Sequence, residues 1–468
     1  MVLIVFWSCE TKQNAMQSIL SEIDSTLKDG DVKTSYSAKC GKYAICINEH
    51  SDVIIYDDDI KVDIVTEELL KELYKKEKLF FNSAISLCDS AKKLVEYIHA
   101  KTNFTMTRTI HPVGQGAFYS ERFFDNERQT VFLAVYDCGS QNKKKLNNYI
   151  NHYFSEGETI DLLFISHLDE DHVSGIQFLL ERKIRVRYLV LPLLDDNTKR
   201  LYLLTAPKLL RELIQNPKDF FEVCRVIYVE HVVEDPMSEN EIEIKSIDQD
   251  VITIHSGSRL IYQCDDIKWC YVPYNYEYST RVERLLKGLG HRTIEIEDIE
   301  KINERKEVKE EYAKICSKGV NNTSLILFSG PYSSEITYLS QIHHLSCMCP
   351  KDINSGCLYL GDTDLKQGDE GTNKLIDDMM LRLDKYSGQV GLIQIPHHGS
   401  GLNFSEKLLS FGTYPKVCFA SYGNNNSFGH PSPRVWEICR THGLYCCGVD
   451  ENRQTMLTQV VNLNTKLI

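Results

Sequence analysis

The segment His167-Leu168-Asp169-Glu170-Asp171-His172 sets two imidazoles and two carboxylates in a His-x-Asp-x-Asp-His pattern within six positions. These are the side chains that hold divalent transition metals. Directly before it, Leu162, Leu163, Phe164 and Ile165 make a short apolar run of strand-forming residues. An apolar run that stops at a cluster of ligands reads as a buried strand delivering them at its carboxyl end. The plain alternative is a solvated acidic loop with two incidental histidines, and such loops rarely follow a hydrophobic strand so directly.

Three further segments repeat the design. Cys357-Leu358-Tyr359-Leu360 leads to Gly361-Asp362. Gly391 to Ile395 ends in Pro396-His397-His398-Gly399-Ser400, and Val417 to Tyr422 is followed by Gly429-His430-Pro431. In each, buried β-structure approaches and a ligand-type residue stands where the strand ends, the logic of a site carried on loops of a rigid scaffold. Singly, Gly-Asp is an ordinary turn and His-His-Gly an ordinary surface pair; their order carries the signal.

That order resembles the metallo-β-lactamase fold superfamily, from about Thr107 to the C-terminus with gaps. Within it, Asn321-Asn322-Thr323-Ser324, Gly361-Asp362, Pro396-His397-His398-Gly399-Ser400 and Gly429-His430-Pro431 are most similar to the soluble metallohydrolase domain of bacterial competence DNA-uptake channel proteins. The resemblance implies an α/β chain folded as an αββα sandwich around two divalent ions, zinc or manganese. It implies His167, Asp169 and Asp362 on one ion, and Asp171, His172, Asp362 and His397 on the other. Asp137 would orient the motif, and Asp171 the attacking hydroxide. His398, Ser400 and His430 would touch substrate or support the ligands. Members of this branch include phosphodiesterases and nucleases.

Two departures bear on the metals. Asp169 stands where the superfamily commonly has histidine, and the extra carboxylate hardens the ligand set toward manganese or iron. The further first-metal histidine has no recognisable motif; His231, His255, His291, His343 and His344 are candidates by position. Asn321 or Asn322 is an alternative.

A net charge of −13 argues against a protein that coats duplex nucleic acid. It leaves room for a local basic rim, and Lys143-Lys144-Lys145 and Arg182, Lys183, Arg185 and Arg187 flank the metal strand in sequence. Charge runs are more often plain solvated faces. Sixteen cysteines in 468 residues are too sparse for a stapled miniprotein, and the start Met1 to Trp7 lacks a basic leader region, so a reducing cytoplasmic setting is expected. No apolar run approaches the ~20 residues that span a bilayer. Cys347-Met348-Cys349 is tight for a structural zinc knuckle.

Residues 1–105 read as an α/β accessory module: a strand at Val2–Trp7, a helix at Asn14–Leu27, strands at Tyr43–Ile47 and Val53–Tyr56, and a long amphipathic helix from Thr66 to about Ala100. The helix's three- and four-residue apolar spacing suits packing within the module, or a partner chain or second copy. Residues 106–468 read as the hydrolase domain, with a first strand near Ile110–Phe118 broken by Gly114 and Gly116. Residues of about 200–319 read as an inserted cap, helical at Tyr202–Gln215 and Ile294–Lys314. Its cluster Tyr262, Trp269, Tyr271, Tyr274, Tyr276 and Tyr278 suits either packing or base stacking.

The expected function is two-metal hydrolysis of a phosphodiester in nucleic acid or a nucleotide. Asp171, His398 and His430 are the catalytic candidates, and His167, Asp169, Asp171, His172, Asp362 and His397 the metal ligands. The paired histidine turn offers donors to a phosphoryl transition state beyond those the metals need. The alternatives are a degenerate scaffold used for binding or sensing, and a two-metal lactone or thioester hydrolase.

Overall fold

The computed structural model describes four strands between residues 36 and 65. It then describes residues 104–463 except 126–128, 195–207, 222–223, 233–239, 265–266, 277–323, 334–337, 345–349, 351 and 367–373. The chain divides into two compact units, Met1–Asn103 and Phe104–Ile468. In the first, β1 (Tyr36–Cys40), β2 (Tyr43–Ile47), β3 (Val53–Asp57) and β4 (Ile60–Val65) form an antiparallel sheet in sequential order. The strands expected at Tyr43–Ile47 and Val53–Tyr56 are its middle pair. The expected elements at Val2–Trp7, Asn14–Leu27 and 66–100 lie outside the described residues.

The second unit is mixed α/β, built on two mixed sheets. The ten-stranded sheet contains β5 (Thr105–Ile110), β6 (Phe118–Phe124), β7 (Thr130–Cys138), β8 (Thr159–Phe164), β9 (Arg185–Pro192) and β10 (Arg225–Val229). It is completed by β12 (Val251–Ile254), β16 (Leu339–His343), β17 (Ile353–Asn354) and β22 (Leu457–Asn462), in the order β12-β10-β9-β8-β7-β6-β5-β22-β16-β17. The eight-stranded sheet runs from β11 (Glu241–Glu243) through β13 (Arg259–Cys264), β14 (Ile267–Tyr274) and β15 (Ile326–Pro331). It continues with β18 (Gly356–Tyr359), β19 (Val390–Gln394), β20 (Val417–Ser421) and β21 (Tyr445–Val449). The ten-stranded sheet holds the parallel block β7-β8-β9-β10-β12, and the eight-stranded sheet the block β18-β19-β20-β21 besides a parallel edge pair, β11-β13. Helices Lys143–Tyr153, Lys374–Ser387 and Pro433–Thr441 cross over between neighbours in those blocks, as parallel pairing requires.

The apolar runs of the sequence follow from burial on both faces, because alternate residues of a strand point to opposite sides. Phe132, Ala134 and Tyr136 of β7 and Leu162 and Phe164 of β8 share one core with Tyr271, Leu327, Tyr359 and Phe419 of the other sheet. The intervening Leu133, Val135 and Leu163 pack with Leu146, Ile150 and Ile176 of the flanking helices. On the second sheet, Leu358, Ile393 and Cys418 pack with Met379, Leu383 and Val435. A polar network also crosses the inter-sheet core. Buried Arg108 on β5 donates to Glu121 on β6 at 2.7 Å, Tyr359 on β18 at 3.0 Å and the Ser355 carbonyl at 2.8 Å. Glu121 in turn accepts from Tyr271 at 3.0 Å and Ser329 at 2.7 Å. Each charge is thus paired and hydrogen-bonded, the condition for burying it at all.

Two expectations need correction, and one alternative is decided. Residues 110–118 are not one broken strand: β5 ends at Ile110, β6 starts at Phe118, and 111–117 connect them. The stretch 200–319 is not, in its described part, an inserted cap, because β10 to β14 complete both sheets. Tyr262, Trp269 and Tyr271 accordingly lie in the inter-sheet core, at most 1% exposed, and are closed to base stacking. Of the two helices expected there, Lys208–Gln215 is described; Ile294–Lys314 lies outside the described residues, as does Tyr278. Among the described residues, no helix is long and apolar enough to cross a membrane.

Candidate metal centre

The carboxyl ends of β7, β8, β18, β19 and β20 meet, bringing residues from both sheets together. Open parallel blocks place their loops, and hence their sites, at this end. β7 ends on Asp137 and β8 runs into Ser166-His167, while the short helix Glu170–Val173 carries Asp171 and His172 back over Asp137. That fold-back needs glycine at 139: a Cβ there would lie 2.4 Å from the Asp171 backbone. Gly116 is a second such contact, at φ 146° with its Cβ position 2.6 Å from the Asp171 carbonyl. The Gly114/Gly116 pair read from the sequence therefore includes one true point of close approach.

Asp137 is wholly buried and serves three donors. It accepts from Ser166 N at 2.7 Å, Ser166 Oγ at 2.6 Å and His172 Nδ1 at 2.8 Å. The bond to Nδ1 fixes the imidazole so that its Nε2 faces the centre, the usual way a carboxylate prepares a ligating histidine. Nε2 lies 3.1 Å from Asp362 Oδ1. Asp362 follows β18 through Gly361, whose φ of 52° and 2.7 Å approach to Ser324 leave no room for a side chain. The turn is clamped by Gln394, whose Oε1 accepts from Leu360 N at 2.8 Å and Gly361 N at 3.1 Å. Ser324 Oγ accepts from Asp362 N at 2.9 Å and lies 3.2 Å from His167 Nδ1.

After β19 the chain makes a tight 3₁₀ turn, His397–Gly399, with both histidines left-handed at φ 49° and 54°. Left-handed backbone in two successive bulky residues is costly, and such strain gathers at functional sites. It sends the two rings apart. His398 is 4% exposed, its Nδ1 lies 2.9 Å from the Ser421 carbonyl at the end of β20, and its Nε2 lies 3.4 Å from Asp171 Oδ2. His397 is 22% exposed, with Nε2 3.7 Å from Asp362 Oδ2. Asp362 therefore presents Oδ1 to His172 and Oδ2 to both His397 and His398, the disposition of a bridging carboxylate.

Two groups of atoms close enough to share an ion result, His167 with His172 and Asp362, and Asp171 with His172 and His398. The Nε2 atoms of His167, His172 and His398 are buried and make no hydrogen bond. Three buried imidazole nitrogens gathered between two carboxylates, with their far sides already engaged, fit divalent cations.

Charge reinforces the fit. Burial drives His167 down to about 4, with His172 adding to the effect. Burial also opposes the charged form of His172, but Asp362 and Asp137 overcome it and hold that imidazole well above the usual histidine range. His398 is raised against burial by Asp362 and Asp171. Burial disfavours the Asp362 carboxylate, yet His172, His397 and His398 hold it well below the usual range. Asp171 is lowered likewise by His398 and His172.

The other expected residues fall as follows. Asp169 immediately precedes the short helix without a side-chain capping bond, has Oδ2 3.8 Å from His167 Nε2, and joins neither group. The resemblance assigned a metal to His397, but it is His398 that is buried and joins a group, while His397 joins neither. Ser400 is buried, its Oγ accepting from Leu402 N at 3.2 Å. His430 sits at the mouth, its ring 5.6 Å from that of His397 and stacked on exposed Phe428. Burial, with His397 and His398, lowers it to about 4, so near neutral pH it offers hydrogen bonds rather than charge. Of the histidines considered for the first ion, His231, His255, His343 and His344 join neither group; His291, Asn321, Asn322 and Cys347–Cys349 lie outside the described residues. Ser166, Ser324, Gln394 and the Ser421 carbonyl position the ligands without any motif to announce them.

The two basic runs separate. Lys143 pairs with Glu170, between Asp169 and Asp171, so the lysine run stands beside the centre. Arg185 pairs in register with Thr159 at the opposite end of β8, roughly 20 Å from Ser166 at ~3.3 Å per residue. Arg187 is committed to Asp161 at 2.5 Å and Lys183 to Glu156 at 2.7 Å. The arginine run does not border the mouth.

No family model and no curated protein matches the chain. Among solved structures it is similar to one described as the apo state of chemotaxis sensor ODP from T. denticola. The identity is 10% over 74% of this chain and 89% of that one, with a TM-score of 0.21, a likeness that carries no argument about fold or function.

Proposed function

We propose that the chain is a hydrolase of the metallo-β-lactamase-like αββα type, dependent on two divalent ions and acting on phosphodiesters. The observation that carries this reading is the convergence of three buried, unbonded imidazole nitrogens on Asp362 and Asp171 at the carboxyl ends of strands from both sheets. His167, His172 and Asp362 would hold one ion, and Asp171, His398 and Asp362 the other. His172 offers one free nitrogen and so serves one ion only. His397 is an outer partner of Asp362. Zinc and manganese both suit this nitrogen and oxygen set. Bound there, such ions acidify a water and offset charge on phosphoryl oxygens.

The protein's own groups do the rest. Asp171, 15% exposed where Asp362 is 1%, is the carboxylate placed to orient the attacking water and accept its proton. His397 and His430 stand at the open side with donors for the phosphoryl and leaving-group oxygens. Those donors favour a phosphodiester, whose oxygens share negative charge in the transition state, over a neutral lactone or thioester.

Metal analysis of the purified protein, with hydrolysis of bis-p-nitrophenyl phosphate and of single- and double-stranded DNA in added manganese or zinc, tests the reading. Near two equivalents of metal and turnover that falls about 10²-fold or more in Asp171→Ala support it. Metal without phosphodiester turnover points instead to a binding module or a carbonyl hydrolase. Normal turnover in Asp171→Ala would sink the assignment.

A further inference from the structure

The helix Lys143–Tyr153 leaves the metal centre and carries a depression along its side, lined by Asn142, Lys144, Lys145, Tyr149, His152 and Arg453. No carboxylate lines it, in a chain whose acidic side chains outnumber basic ones 66 to 53. Among the described residues, Lys144 and Arg453 form no ion pair, while Lys145 is anchored to the Glu451 carbonyl. The helix starts at Asn142, whose Oδ1 accepts from Lys145 N at 3.1 Å, and its first turn holds three lysines and no acid. Cations at a helix N-terminus oppose the dipole by ~0.3–1 kcal/mol each, whereas an anion there is favoured by both dipole and lysines. From Asn142 to His152 the depression follows about 15 Å of helix at 1.5 Å per residue, longer than one phosphate needs. Lys143, between the lining residues Asn142 and Lys144 in sequence, pairs with Glu170, the neighbour of Asp171.

We propose that this depression is a second subsite that holds the backbone of a single-stranded nucleic acid whose scissile phosphate lies at the metal centre. Lys144, Lys145 and Arg453 contact phosphates, and half-buried Tyr149 offers a ring for a base to stack on. The proposal rests on the phosphodiesterase reading and narrows it to strands rather than isolated nucleotides. The acidic balance of the chain excludes broad duplex coating, and a narrow basic track beside one site is what a single strand requires.

The test uses the full chain loaded with manganese and a fluorescently labelled single-stranded DNA dodecamer, with binding read by anisotropy from 50 to 200 mM salt. In Lys144→Gln/Arg453→Gln, two exposed residues outside the catalytic machinery, the dissociation constant should rise about tenfold or more at low salt. Loss of two phosphate contacts should flatten the log–log salt slope by about 1.4. Turnover of bis-p-nitrophenyl phosphate should not change. Unchanged affinity and slope, or a dinucleotide that binds as tightly as the dodecamer, overturns the subsite. If the unaltered chain binds DNA through these residues yet hydrolyses no phosphodiester, the phosphodiesterase reading falls and the subsite stands.

Discussion

Asp137→Asn tests the wiring of the centre with the least disturbance. Asp137 sits at φ 56°, a conformation asparagine tolerates, and the exchange preserves size. The carboxylate accepts from Ser166 N, Ser166 Oγ and His172 Nδ1; an amide offers one oxygen. With that oxygen on Ser166 N, the Ser166 hydroxyl can rotate to accept, but the amide N–H₂ then faces His172 Nδ1. The imidazole must move its proton to Nε2, removing the lone pair aimed at Asp362, or leave a buried donor unmatched at a cost of about 1–3 kcal/mol. Loss of such a supporting partner typically weakens metal binding about 10–100-fold, or roughly 1.4–2.8 kcal/mol. Isothermal titration of manganese or zinc into metal-free protein reads this directly, with circular dichroism to establish that the fold persists. Wild-type affinity and stoichiometry in a folded Asp137→Asn protein would refute the carboxylate–histidine coupling.

The division proposed for the paired histidines gives a second expectation: His398→Ala loses about one metal equivalent by equilibrium dialysis and elemental analysis, while His397→Ala keeps both ions and loses mainly turnover. Equal metal loss in the two proteins contradicts that division. Metal uptake should also release protons near pH 7, because His172 is held well above the ordinary histidine value and His398 is raised from it, so both must give up protons to ligate, whereas His167, lowered to about 4, has none to give. In the metal-free fold, the two raised histidines contribute stability that is full below the ordinary histidine value and lost as pH rises through their raised values. Metal affinity should therefore fall from pH 8 to pH 6, and calorimetry in buffers of different ionisation enthalpy should count the protons; pH-independent affinity would contradict it. Away from the centre, Arg108→Ala strands Glu121 in the inter-sheet core and should cost about 3–5 kcal/mol in chemical denaturation, and a loss under 1 kcal/mol would show that the network is not closed as described.

The strands that approach the centre were legible because each is buried on both faces and stops at a polar residue, as Leu163-Phe164-Ile165 stops at Ser166-His167. The convergence of His167, His172 and Asp362 was implied by the family resemblance that the order of those stops carries; His397, expected with them, joins neither group. What could not be read depends on geometry that adjacency in sequence conceals. His397 and His398 are neighbours of one type, and only the left-handed turn decides which ring goes inward. Ser421 contributes through its carbonyl, which any residue could offer. Tyr262, Trp269 and Tyr271 lay in a stretch longer than the basic fold seemed to need, so a strand pair that packs was placed in a cap rather than in the second sheet. Arg185 and Arg187 are near His172 in sequence, yet a strand traversed from its far end separates them from it.

Anomalous diffraction from crystals soaked in manganese or zinc tests the central claim most directly. The account predicts two peaks that share Asp362, one within bonding distance of His167 and His172 Nε2, the other within bonding distance of Asp171 and His398 Nε2. A single peak remote from Asp362, or no peak at full occupancy of the soak, would contradict it.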